Sequence, residues 1–211
     1  MIKVYFSRVG NKLNNDDFFK YLNFLPTVLR EKILKLKKWE DRQAGLFGKL
    51  LLKKGLEDLG KDFDLQNLKY TEYDRPYLED YVDFNISHTT NFVACAISIE
   101  DRIGIDAEEI RPILIEDFKN EFSNEEWELI LNSENKYYSF YFYWTAKEAV
   151  IKADGRGLNI PLQKLTMKNN RIKFGGIVWF IKSITLFDNY ILQLASEKEI
   201  KKDVELLEVS F

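Results

Sequence analysis

The chain has 211 residues, a formal net charge of −3, and 45% hydrophobic against 31% charged residues, enough for a buried core in one domain or two small lobes. That balance gives no global case for nucleic-acid binding, no apolar run approaches the ~18 residues of a membrane span, and a single cysteine, Cys95, excludes an internal disulfide and a cysteine-based zinc site. The chain is expected to be cytoplasmic, and with His88 its one histidine, acid–base or metal chemistry must rest mainly on carboxylates and lysines.

Residues 2–6 alternate as a strand. Asn14 to Leu25 and Pro26 to Gly60 read as mainly helical, with Pro26 in a first turn. Arg30 to Gly55 holds nine Lys or Arg against three Glu or Asp. Its apolar positions suit a helix docked by one side, leaving a basic face that is either solvated or meets a polyanion. From Lys69 the texture changes. KYTEYDRPYL carries a turn at Asp74-Arg75-Pro76, and FNISH, FVACAIS and RIGIDAE read as three short strands. Ile110 to Asp117 reads as a loop. FSNEEWELIL starts a helix with Ser123 as N-cap and Glu126 completing a capping box, and Ser139 to Ala153 forms a second helix stopped at Gly155. After Pro161 strands return in RIKF, IVWFIKSITL, YILQLAS and VELLEVSF. Strands and helices cluster rather than alternate, which predicts an α+β fold.

Chemistry concentrates in three stretches. In IGIDAEE, alternation puts Ile103, Ile105 and Ala107 on one face and Gly104, Asp106 and Glu108 on the other. Two like charges aimed at one point repel unless a cation sits between them, and oxygen donors beside phosphates suit Mg²⁺. The alternative is a solvated acidic strand end. FNISH turns Asn85 and Ser87 away from Phe84 and Ile86, and His88 opens a hydroxyl-rich loop that can cradle phosphate; a satisfied structural histidine is the plainer reading. In WTAKEAVIK, helical spacing stacks Trp144, Glu148 and Lys152 on one face, either as a surface Glu–Lys pair or as a metal ligand or base beside a phosphate-holding lysine. With Lys32 and Arg75 as further cations, the inventory describes metal-assisted chemistry on a diphosphate-bearing small molecule.

The order FNISH, GIDAEE, WTAKEAVIK, followed by GRGLNIPL, resembles the 4′-phosphopantetheinyl transferases, in particular the larger single-chain type named after the surfactin-synthetase activator. The family pattern is N-x-S-H, then G-[IV]-D-x-E, then W-[ST]-x-K-E-x-x-x-K about forty residues on; here Asp106 and Glu148 are 42 positions apart. The resemblance implies two similar, pseudo-symmetric α+β halves, here 1–104 and 105–211, with coenzyme A in the cleft between them. It implies a monomer in which a serine of an apo acyl, peptidyl or aryl carrier protein attacks the pantetheine-side phosphorus and releases 3′,5′-ADP. Carried over by position, Asp106, Glu108 and Glu148 would ligate Mg²⁺, or Mn²⁺ in its place. Lys152 would contact the diphosphate, and Ser87, His88, Arg75 and Lys32 the coenzyme A phosphates. Glu148 is the expected general base, with Glu126 as a second acidic candidate. The sequence departs from the family at Ala44, where a basic residue is frequent and Arg42 is the nearby substitute, and at Asp74 and Ala107. Two rival functions are a non-catalytic carrier-binding module and a Mg²⁺-dependent nucleotide phosphohydrolase.

Overall fold

The computed structural model describes residues 2–60, 65–79, 82–99, 101–201 and 204–211. A first strand, β1 (Ile2–Arg8), leads into three helices, α1 (Asn15–Leu22), α2 (Thr27–Lys35) and α3 (Trp39–Asp58). A small hairpin, β2 (Lys69–Tyr70) and β3 (Pro76–Tyr77), precedes β4 (Val82–His88), β5 (Phe92–Ile99) and β6 (Ile103–Glu109). A 3₁₀ segment at Ile115–Glu121 and helices α4 (Asn124–Leu131) and α5 (Lys136–Asp154) follow. After two short 3₁₀ turns come the strands β7 (Met167–Lys168), β8 (Arg171–Phe174), β9 (Ile177–Ile184), β10 (Tyr190–Ser196) and β11 (Glu205–Glu208). No helix among the described residues is long and apolar enough to cross a membrane.

The strands form two main sheets, ordered β11-β1-β5-β4 and β6-β10-β9-β8-β7. Period-2 alternation gives each sheet two buried faces, and this sets the layering. Tyr5, Phe84, Val93, Cys95 and Ile97 pack against Leu46, Phe47, Leu50 and Leu51 of α3. The opposite face of that sheet, with Val4, Phe6, Phe92, Ala94 and Ala96, meets Ile103, Ile105, Ala107, Leu192 and Leu194 of the second sheet. Beyond the second sheet, Ala146, Ala149, Val150 and Ala153 of α5 cover Trp179, Ile181 and Ala195. The fold is therefore mixed α+β, and Cys95 is a buried packing residue whose thiol burial pushes up to about 12.

Helix ends follow local chemistry. The capping box forms as expected: Ser123 Oγ accepts from the Glu126 N–H, and Glu126 returns a carboxylate oxygen to the Ser123 N–H. Helix α5 begins three residues earlier than its apolar pattern suggests, because Asn135 Oδ1 caps the Tyr138 N–H. It ends at Gly155, whose φ of 90° favours a residue without Cβ. The loop expected over Ile110–Asp117 turns into 3₁₀ structure at Ile115.

The expected boundary between the two halves is 104/105. That boundary falls inside β6, and β11 returns to pair in parallel with β1, Lys3 opposite Glu205 through Phe6 opposite Glu208. The strands of the second sheet, β6 to β10, thus lie in sequence between β5 and β11 of the first.

Candidate active site

Strands β4 and β6 lie side by side at the edges of different sheets, and α5 crosses behind β6. The contact of α5 with β6 is unusually close because residue 104 is glycine: a Cβ there would stand 2.0 Å from the Ala149 carbonyl oxygen and 2.5 Å from the Ala153 nitrogen. This approach brings Glu148 and Lys152 over Asp106. A cavity of about 450 Å³ opens at the ends of the three elements, lined by Ser87, His88, Asp106, Glu108, Trp144, Glu148 and Lys152 among others. A second cavity of about 380 Å³ adjoins it through His88 and Glu108, with Lys38, Asp41, Ala44 and Arg111 in its wall.

Within the first cavity Lys152 Nζ lies 2.7 Å from Asp106 Oδ1 and 3.0 Å from Ser87 Oγ, and Ser87 Oγ lies 3.2 Å from the same Asp106 oxygen. Asp106 Oδ2 is buried and has no hydrogen-bond partner. An orphan carboxylate oxygen is costly unless a cation or donor completes it. Burial, then the charge of Asp106, push the Glu108 carboxyl up to about 7. The same two causes raise Glu148. Burial, followed by Lys152, lowers His88, which is therefore neutral near pH 7. Carboxylates that repel one another around an orphan oxygen fit a hard divalent cation. Among the described residues no three such side chains already stand in a coordinating arrangement. Mg²⁺ does not require one, because it usually keeps several waters and binds through one or two carboxylates plus substrate phosphates.

Three expected site residues lie elsewhere. Glu126 is a structural residue in this fold. One oxygen takes the Ser123 N–H and Lys147 Nζ at 2.8 Å, the other the Met167 N–H, and the two side chains of the Glu126–Lys147 pair are 2% and 0% exposed. Both oxygens are thus committed to protein donors and closed off from solvent. Arg75 is committed to protein acceptors: Nη2 reaches both oxygens of Asp83 at 2.8 and 2.7 Å, and Nε reaches the Lys152 carbonyl at 3.0 Å. It lines a different cavity, of about 970 Å³, with Tyr73, Tyr77, Arg102 and Arg156. Lys32 is exposed on α2, its Nζ 3.4 Å from the centroid of the Tyr70 ring. Arg42 does not fill the space at Ala44, since its Nε donates to the Leu36 carbonyl at 2.6 Å.

Lys147 is the first lysine of the W-[ST]-x-K-E-x-x-x-K pattern, but the sequence assigns it no role. It caps the Glu121 and Leu162 carbonyls as well as pairing with Glu126. Its flanking Ala146, Ala149 and Val150 were the available signal, marking the buried side of α5.

Residues 102–195 match the profile of the 4′-phosphopantetheinyl transferase superfamily, and residues 13–100 match the 4′-phosphopantetheinyl transferase N-terminal profile. The chain is 30% identical over 173 residues to 4′-phosphopantetheinyl transferase Sfp of Bacillus subtilis (strain 168), covering 79% of this chain and 76% of that protein. This chain belongs to the 4′-phosphopantetheinyl transferases. It is also 32% identical over 179 residues to 4′-phosphopantetheinyl transferase gsp of Aneurinibacillus migulanus, across 81% and 73% of the two chains. A shorter stretch, 86 residues at 41% identity, matches the transferase HetI of a Nostoc species. The superfamily profile takes in all three acidic residues of the cavity, and the N-terminal profile takes in Ser87 and His88.

Proposed function

We propose that this transferase moves the 4′-phosphopantetheine arm of coenzyme A to a serine of an apo carrier protein, giving holo carrier and 3′,5′-ADP. The observation that carries the proposal is one cavity in which β6 offers Asp106 and Glu108, α5 offers Glu148 and Lys152, and β4 offers Ser87 and His88. That set pairs acidic donors with groups suited to phosphate, as a reaction at a diphosphate requires. Asp106, Glu108 and Glu148 would hold Mg²⁺, which when bound would offset charge on the diphosphate oxygens.

The chain's own groups supply the remainder. Lys152 holds a phosphate oxygen as a point charge. Neutral His88 donates one ring N–H to a second oxygen. Glu148, directly or through a water, takes the proton of the carrier serine as its oxygen bonds to phosphorus. The phosphorus–oxygen bond to 3′,5′-ADP breaks, and the leaving group carries away the charge. Glu126 and Arg75 stabilise the fold in this reading. Coenzyme A would lie in a cleft between two related halves, both halves of the site lie on one chain, which supports a monomer, and the enzyme would act in the cytoplasm.

Intact-mass spectrometry of apo acyl, peptidyl and aryl carrier proteins, incubated with this protein, coenzyme A and Mg²⁺, tests the proposal. One added phosphopantetheine arm, abolished by EDTA, is the expected result. No gain on any carrier while coenzyme A still binds would favour the non-catalytic binding module. Coenzyme A consumption without a carrier would favour the phosphohydrolase.

A further inference from the structure

The seam between β4 and β6 is not an ordinary strand pairing. Three side chains of β4 accept from three alternate backbone N–H groups of β6: Asp83 Oδ2 from Ile103 at 2.8 Å, Asn85 Oδ1 from Ile105 at 3.1 Å, and Ser87 Oγ from Ala107 at 3.1 Å. Each rung spans 20 residues, so the two strands run parallel in fixed register. The other edge of β6 is paired with β10. Side chains therefore do along this seam what carbonyl groups do in a sheet.

The two strands belong to different sheets, and each brings different chemistry to the cavity. Ser87 and His88 come on β4, Asp106 and Glu108 on β6. The ladder is a backbone-anchored connection that aligns one set with the other, beside the bonds of Ser87 to Asp106 and Lys152. Its last rung, Ser87 to Ala107, sits at the mouth of the cavity, and its first rung is clamped by Arg75 on Asp83 and on the Ile103 carbonyl. Slipping one rung moves β6 two residues, about 6.6 Å at the parallel-strand rise. That distance would carry Asp106 away from Ser87 and Lys152 altogether.

We propose that Asp83 and Asn85 are positioning residues, setting the register at which the metal-binding strand meets the phosphate-binding strand. The proposal rests on the transferase reading of the cavity. Asn85 is the informative position. It is buried, it is not among the residues lining the cavity, and its oxygen is assigned to a rung. Asp106, Glu108 and Glu148 all lie on β6 and α5, and Ser87 stays beside Asp106, so loss of the Asn85 rung leaves the metal ligands of the free protein together. Binding coenzyme A and metal together does, because one diphosphate must meet both strands. Register therefore shows up as coupling between the two ligands.

The test compares wild type, Asn85→Leu (same size, no acceptor) and Asn85→Asp (acceptor kept). Each is measured for thermal midpoint, Mn²⁺ affinity by electron paramagnetic resonance with and without coenzyme A, and transfer rate at a temperature where all are folded. Asn85→Leu should hold Mn²⁺ alone within about two-fold of wild type, yet lose at least ten-fold in both coupling and turnover, with Asn85→Asp restoring most of each. A folded Asn85→Leu with wild-type coupling and turnover overturns the proposal, leaving the ladder a matter of stability alone. Should Asn85→Leu not fold, Asp83→Ala at the less buried end carries the same comparison. Wild type that shows neither coupling nor transfer overturns the transferase reading itself, and the positioning role with it.

Discussion

Gly104→Ala adds one methyl group where α5 rests on β6. The new Cβ would stand 2.0 Å from the Ala149 oxygen, against an ordinary contact beginning at 3.4 Å, so the helix must withdraw by about 1.4 Å or β6 must yield. Both obstructing atoms are backbone, which no rotamer change can move aside. Overpacking of this kind costs about 1–3 kcal/mol, and for a chain of this length that lowers Tm by roughly 2–12 °C. The functional loss should exceed the stability loss. Ala149 and Ala153 directly follow Glu148 and Lys152, and ~1 Å of misplacement at reacting groups costs on the order of 10²-fold. We therefore expect Gly104→Ala to reduce holo-carrier formation per folded molecule by about 10- to 100-fold, followed by intact mass below the variant's melting range. Gly10→Ala is the control, because nothing lies within 4 Å of its added Cβ. A Gly104→Ala protein with wild-type Tm and wild-type rate would refute the claim that helix–strand contact sets the site.

Glu126→Ala should destabilise by about 3–5 kcal/mol, since it strands Lys147 as a buried unpaired cation, while the folded fraction keeps near-wild-type turnover in cold assays. A stable Glu126→Ala protein without activity would return Glu126 to the list of bases. Arg75→Leu removes the clamp on Asp83 and on two carbonyls and should cost about 1.5–3 kcal/mol. Its KM for coenzyme A should rise less than that of Lys152→Ala; a large KM effect with unchanged Tm would identify a direct phosphate contact. The pH dependence follows from Glu108, whose carboxyl is raised from 4.5 to about 7. Such a group holds more protons folded than unfolded, so its stabilisation is complete below about 4.5 and lost as pH climbs to about 7. In EDTA, Tm should fall across that window and Glu108→Gln should flatten the slope. A flat wild-type profile would argue that the carboxyl is solvated.

What alternation and capping rules could reach, they reached. The strands β4, β5 and β6 follow from FNISH, FVACAIS and RIGIDAE, the two faces of β6 are assigned correctly, and the Ser123 capping box forms as read. The meeting of β6 with α5 was legible only through the stacked Glu148 and Lys152, because their spacing is local. Other features depend on distant partners. Period 2 turns Asn85 and Ser87 away from Phe84, but not toward solvent: both are buried against a strand 20 positions later. Glu126 is a good N3 residue on local grounds, and nothing local says that Lys147 will close over it. Arg75 carries the right charge in the right loop, yet its guanidinium is taken up by Asp83, eight positions later, at 2.7 and 2.8 Å. Helix α5 starts early because one asparagine cap outweighs a run of aromatic residues with weak helical preference.

The pairing of β1 with β11 has a bearing on how the molecule is made. Some two hundred positions separate the partners, so this is among the last contacts that loop-closure entropy allows to form. During synthesis from the N-terminus, β1 acquires β5 along one edge early, while its other edge, from Lys3 to Phe6, waits for residues 205–208. A nascent chain stalled before that point displays an open strand edge of mostly apolar residues, the kind of surface that recruits other chains. Slow synthesis between β10 and β11 would prolong that exposure, whatever the stability of the folded protein.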